Sequence, residues 1–425
     1  MLSSKVMSDS FSVNVILLFV TFPLSILLLV QAPFIFLLAI MAGALLLYNN
    51  FSIYIFAIAS SLFVGTFASI IDVNATYYAD VIRYYSLYNS KDFLSSLLSF
   101  RIYRYFIFLF MDWMDLREGF YSLITLSLAG AIYQLTLIKQ IKYLAGVDIV
   151  TLKQKMIYTL IVLCALPAFT LLGYEFIFSV VIANAVAYSL MRNNLLLALM
   201  LSAFALIIHS ASIYLLSIAF LVFVLKRKKS ALIMVSICFT FLLTLLSSFR
   251  LSIGIQYIDR LMAKLYSYST GYWSQFTTVH DKILIVYIVI KLLLALVLLY
   301  LYQDRKNTDR FSYIYSLLLT FIIVSISFVT MRTLALRLIL IPFLFFMPLM
   351  YLLVLHEKVS QSLKFIIFLF IIFNGVMYHN ILTLRFIKNE MNIGDGYFLF
   401  MSAKEIKSFS IYMPDNSILF DTRAN

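Results

Sequence analysis

Asp80, Arg83 and Tyr84 lie within about one helical turn of each other in Asp80-Val81-Ile82-Arg83-Tyr84-Tyr85, a polar island between long apolar runs. A carboxylate at the mouth of an apolar span can act as general base for a hydroxyl nucleophile. It can equally form an ordinary surface ion pair with Arg83. A second group is His209, in Ile207-Ile208-His209-Ser210-Ala211-Ser212, at the tip of a hairpin predicted with arms 194–208 and 211–225. Arms of about fifteen residues fall short of the usual crossing length. They would leave the imidazole in a recess below the surface, where ionisable groups mark function; the alternative is a helix-end histidine with ordinary partners. Arg332 and Arg337 interrupt an apolar stretch and could clamp a diphosphate leaving group with fixed positive charge, or snorkel to lipid phosphate. Tyr257, Arg260, Lys264 and Tyr268 fall within about 80° of one another on a helix, with Trp273 just beyond. Arginine forks onto phosphate, and rings pack on the apolar faces of pyranoses. The same stripe also suits an amphipathic helix lying on headgroups.

The elements that must position these groups are membrane helices. The chain has 425 residues, 64% hydrophobic and 12% charged, with a mean hydropathy of +1.01. A soluble domain carries about twice that charge fraction. Apolar runs long enough for a hydrocarbon core of about 30 Å recur along the length. The alternating ten-residue pattern of a membrane β-barrel is absent. The expectation is an all-α, polytopic transmembrane bundle of about 12–13 spans, forming one integral membrane domain over 1–425. Spans are predicted near 13–30, 33–48, 51–71, 118–138, 156–173, 175–191, 194–208, 211–225, 230–249, 283–302, 312–330, 338–355 and 365–381. The run after Lys5 resembles a signal sequence but is read as a retained first span.

Basic residues orient the bundle. Lys139, Lys142, Lys153 and Lys155 mark one loop, Lys226-Arg227-Lys228-Lys229 another, Arg305, Lys306 and Arg310 a third, and Lys358 with Lys364 a fourth. All fall on one predicted side, which is therefore cytoplasmic. Three segments then lie outside: 72–117, 250–282 and 382–425. Within the first, Tyr105–Met114 is too short to cross, so 92–114 is expected to be an interfacial or re-entrant helix with Arg101 and Arg104 on one face. The net charge of +13 is only partly explained by cytoplasmic loops. The outer cations either came across with long loops or hold an anionic ligand. Lys291, inside a predicted span, could be a relay or counter-ion.

Other chemistries lack their signatures. There is no phosphate-binding Walker loop and no dinucleotide-binding glycine turn. His209, His280, His356 and His379 show no metal-ligand spacing. Cys164 and Cys238 both fall inside predicted spans and imply no disulfide framework.

Asp80-x-x-x-Tyr84 after an early span, Ile208-His209-Ser210-Ala211-Ser212 at a mid-chain hairpin, and Arg337-Leu338 opening a later span together resemble the EpsG and Wzy-type polysaccharide polymerases. The resemblance covers roughly 50–355. Ala79 stands where that family often has glycine, and Tyr174-Glu175 where it often has an arginine–glutamine pair. Another cation must then serve the diphosphate, or the substrate differs. Glu175 could be an acid/base group or an ordinary helix-start glutamate. The resemblance implies an inner-membrane glycosyltransferase of bacteria, built like the membrane-embedded GT-C-like enzymes. Such an enzyme extends O-antigen or exopolysaccharide chains at the periplasmic face from undecaprenyl-diphosphate-linked oligosaccharide. It needs no metal, nucleotide or other cofactor and has no nucleic-acid partner; membrane lipid, a chain-length regulator and a flippase are its expected company. On this expectation Asp80 or His209 accepts the hydroxyl proton. Arg83, Arg260, Arg332 and Arg337 bind the diphosphate, and Tyr84, Tyr268 and Trp273 pack on sugar rings. A lipid-linked oligosaccharide flippase is the alternative; it would need a cationic cavity inside the membrane rather than cations at outer loops.

Overall fold

A computed structural model describes residues 24–47, 51–72, 102–116, 119–146, 148–171, 174–209, 212–225, 229–248, 309–327, 347–355 and 359–369, with isolated positions between 254 and 300 and at 344–345 and 371–372. Among the described residues the regular elements are ten helices: α1 Pro33–Leu46, α2 Phe51–Asp72, α3 Ile102–Trp113, α4 Gly119–Ala145, α5 Leu152–Leu171, α6 Tyr174–Met191, α7 Leu195–Ile208, α8 Ser212–Leu225, α9 Lys229–Ser248 and α10 Asp309–Ser327. Residues 24–31, 347–355 and 361–369 are also helical. Among the described residues three stretches are long and apolar enough to cross a bilayer: Phe51–Ser69, Phe120–Ala145 and Tyr174–Met191. α1, α7 and α8 are shorter apolar helices.

Most predicted spans coincide with helices to within a few residues. α4 continues about two turns past the predicted end at 138, to Ala145. α5 begins at Leu152, ahead of the predicted 156, so Lys153 and Lys155 belong to its first turn rather than to a loop. That start is set by a capping box. Gln154 N–H donates to Thr151 Oγ1 (3.3 Å), while Gln154 Oε1 accepts from Thr151 N–H (3.0 Å).

α6 is the central pole. All of its 18 residues except Tyr188 are buried, the pattern of a helix surrounded by other helices. α4 packs beside it in parallel, since Tyr121 meets Glu175 near one end and Gln140 meets Asn184 further along. α2 packs antiparallel on α4 through small residues. A Cβ on Gly65 would overlap the Ser127 hydroxyl, and one on Gly130 would lie 2.8 Å from Ser61 Oγ. Backbones this close are the usual basis of helix association in lipid, where apolar side chains gain nothing by leaving the hydrocarbon.

The outer helices turn their large side chains outward. On α7, Ala198, Ser202 and Ala205 face inward while Leu196, Leu199 and Met200 are exposed. On α9, Leu232, Ser236 and Thr240 are buried, and Met234, Ile237 and Phe241 are exposed. The two hydroxyls bond back to their own helix, at 2.7 Å for Ser236 and 2.8 Å for Thr240. Small residues inside and large apolar ones outside suit lipid rather than water, where such apolar area would be a liability. The described helices form a polytopic helical membrane protein.

Two turns are closed in the same way. At the end of α6, Asn193 adopts a left-handed conformation (φ 57°). Asn194 N–H donates to Ser189 O (2.9 Å) and Asn193 N–H to Leu190 O (2.9 Å), the paired bonds of a Schellman ending. Asn194 then caps α7 by accepting from Leu197 N–H (3.2 Å). At the end of α3, Asp115 (φ 52°) takes the left-handed position, and Leu116 N–H reaches back to Met111 O (2.9 Å). The chain reverses there into α4.

Candidate functional site

α3 spans twelve described residues, about 18 Å, against a hydrocarbon core of about 30 Å. It lies antiparallel to the head of α4: Tyr103 pairs with Thr125 (3.0 Å between hydroxyls), and Phe108 stacks on Tyr121 (4.7 Å between ring centroids). Tyr103, Arg104, Phe108 and Met111 are its buried face, a repeat of roughly one helical turn. That face brings a charge into the bundle.

The Arg104 guanidinium forms a two-pronged pair with Glu175 at the start of α6. Nε donates to Oε1 and Nη2 to Oε2, both at 2.6 Å. Tyr121, from the first turn of α4, donates its hydroxyl to the same Oε1 at 2.5 Å. The two charged side chains are 7% and 2% exposed. Both Glu175 oxygens are therefore occupied, and its charge is balanced by a fork whose geometry matches a carboxylate. Glu175 is the helix-start glutamate of α6, but buried and paired rather than open as an acid/base group. Arg104, expected as an outer cation, is buried with a partner. The pair is 71 residues apart in sequence, and periodicity could not join them. The available signal was an isolated acid opening an otherwise uncharged span together with an arginine on a short apolar segment, since charges at membrane depth tend to pair.

His209 sits at the same end. It is the residue after α7, extended (φ −157°, ψ 131°), and its N–H donates to Ala205 O (3.1 Å). Its carbonyl accepts from Ser212 N–H (3.0 Å) and from the Ser212 hydroxyl (2.7 Å), tying α7 to α8. The half-buried imidazole meets the Phe176 ring edge to face at 5.7 Å. Phe176 is the neighbour of Glu175 in the chain. The histidine, the Arg104–Glu175 pair, Tyr121 and the Tyr103–Thr125 hydroxyls thus collect where α3, α4, α6 and α7 meet. Two further ring contacts knit the region: Tyr103 with Phe178 (5.3 Å) and Phe178 with Phe204 of α7 (6.0 Å).

The other sequence-predicted site residues, Asp80, Arg83, Tyr84, Arg260, Tyr268, Trp273, Arg332 and Arg337, lie outside the described residues, as does Lys291. So do most of the predicted outer segments 72–117 and 250–282 and all of 382–425.

Polar groups elsewhere tie helices together. At the opposite end, the buried Lys155 ammonium donates to the Leu47 carbonyl and to Ser52 Oγ (2.9 Å), while Ser52 Oγ donates to Ala44 O (3.2 Å). Lys155 therefore joins the α1–α2 turn to α5 rather than adding to a loose basic loop. Gln134 donates to Ser60 and Ser61 of α2 (2.8 and 3.0 Å). Gln140 donates to Asn184 Oδ1 (2.9 Å). Among the described residues no cluster of three or more His, Cys, Asp or Glu side chains has the arrangement to hold a metal ion. No family model matches the chain, and no curated protein or solved structure is significantly similar to it.

Proposed function

We propose that the protein is a bacterial inner-membrane glycosyltransferase, resembling the GT-C-like enzymes, that polymerises lipid-diphosphate-linked oligosaccharide units at the periplasmic face. The observation that carries this is the position of His209. It lies at the end of the bundle remote from Lys155 and the α6–α7 turn, against the head of α6, beside a neutralised ion pair. An imidazole there is partly withdrawn from water and can still reach a substrate held at the membrane surface, the setting in which proton transfer is effective.

In this reading the anomeric carbon of the growing chain, bearing lipid diphosphate, is attacked by a hydroxyl of the incoming repeat unit. The new glycosidic bond forms as the bond to diphosphate breaks, and His209 or Asp80 takes the hydroxyl proton. Arg83, Arg260, Arg332 and Arg337 receive the developing negative charge. Tyr84, Tyr268 and Trp273 pack on sugar. Glu175 has no role as base in this reading, because it is buried and paired with the Arg104 fork.

The test is polymerisation of lipid-linked repeat units by purified protein in lipid, comparing wild type with His209→Ala, Asp80→Ala and Arg337→Ala. Loss of about 10²-fold or more in rate is expected for the proton acceptor. Full-length polymer from all three variants at normal expression would sink the site assignment. Movement of the lipid-linked unit across vesicles without elongation would favour the flippase.

A further inference from the structure

We infer that Arg104, Glu175 and Tyr121 are positioning residues of this site, a latch that fixes the re-entrant-length helix α3 and the platform under His209. The inference rests on the proposed role of His209. None of the three is placed to touch substrate: the ion pair is buried, Oε1 takes two donors and Oε2 one, and Tyr121 is enclosed at the head of α4. What they do is join three helices at one carboxylate. Arg104 belongs to α3, Tyr121 to α4 and Glu175 to α6.

From that carboxylate the connection to His209 is short. Phe176 follows Glu175 and carries the imidazole at 5.7 Å. A parallel route runs from Tyr103 of α3 through Phe178 to Phe204, one turn before the end of α7. A change in how the head of α6 is held therefore reaches His209 from two sides. The rest of the buried face of α3 is Tyr103, Phe108 and Met111, held by ring packing and one hydroxyl pair. Its opposite face, with Phe106, Leu109, Phe110 and Trp113, is exposed. A bidentate guanidinium–carboxylate pair fixes both distance and angle, which a single apolar contact does not.

The experiment uses full-length protein in lipid nanodiscs with ¹⁵N-labelled histidine. The chain has four histidines, so the His209 imidazole signal is assigned as the one missing from His209→Asn. Tyr121→Phe removes one hydrogen bond, and Arg104→Lys keeps the charge but loses the fork. Both are expected to displace the His209 signal in folded protein. Both should also lower kcat about tenfold or more at nearly unchanged KM, the mark of lost alignment rather than lost binding. Glu175→Asp, which keeps the charge but shortens the reach, should show the same displacement, and Glu175→Gln a larger one. If the variants only lower the unfolding temperature, with the His209 signal and the turnover of the folded fraction as in wild type, the latch is structural and the inference is overturned. A displaced signal in a protein that polymerises nothing would support the latch and count against the proposed activity, so the two failures are separable.

Discussion

A charge pair taken out of water is held by its geometry, and its energetics are asymmetric. Removing one member of the Arg104–Glu175 pair leaves the other buried and unbalanced, which costs about 3–5 kcal/mol, whereas exchanging both for apolar residues of similar size is often neutral. Arg104→Met and Glu175→Leu should each lower the unfolding temperature and folded yield in detergent sharply, and the double variant should recover most of that loss. Equal and additive losses would show that the pair is not coupled. Tyr121→Phe should cost less, about 1.5–3 kcal/mol, because it removes one bond to a charged acceptor and leaves the ion pair standing. This cluster was only half legible in sequence. Arg104 read as an outer cation and Glu175 as either a helix-start or an acid/base residue. Deciding required knowing that α3 lies against the heads of α4 and α6, which is tertiary information. His209 was legible because a polar residue between two short apolar arms has few other places to be.

At the level of elements, the helices were visible because lipid demands long apolar runs with every backbone group bonded internally. Their ends were less visible, because ends depend on local caps. The Thr151–Gln154 box starts α5 early and moves Lys153 and Lys155 into the helix. What Lys155 does there is testable. Its ammonium bonds the Leu47 carbonyl and Ser52 Oγ beyond the end of α1, where a cation also favours the helix dipole. Lys155→Met keeps the stem and removes the donor, and should destabilise by about 1–3 kcal/mol, read by thermal unfolding in detergent. An ordinary loop lysine would show no change. The α2–α4 contact makes a second case. Gly65→Val must push the helices apart, because even a Cβ overlaps Ser127 and approaches Leu123 O to 2.5 Å. Folded protein recovered by size-exclusion chromatography should fall severely. Gly43→Ala, where a Cβ meets nothing within 4 Å, should be silent or slightly stabilising.

For the molecule as a whole, everything proposed at the His209 end depends on which helices cross. α4 and α6 run parallel, with their heads at one end, and α7 returns antiparallel through a tight turn, so Arg192, between α6 and α7, shares an end with Lys155, and His209 lies at the other. α3 is the exception. At about 18 Å it covers the heads of α4 and α6, with its Arg104 end the deeper and its Trp113 end exposed. Asp112, next to Trp113, should therefore lie on the same side of the membrane as His209 and opposite Arg192. In a chain with Cys164 and Cys238 replaced, a membrane-impermeant maleimide applied to intact spheroplasts should label Asp112→Cys and spare Arg192→Cys. Inside-out vesicles should show the reverse. Lys and Arg crowd the Arg192 side, which the positive-inside tendency assigns to the cytoplasm. Labelling of both cysteines from one side would put the head of α4 and the α6–α7 turn on one face of the membrane. Tyr121 could then not reach Glu175 at the opposite end of α6, and the site proposed at the His209 end would fail with that contact.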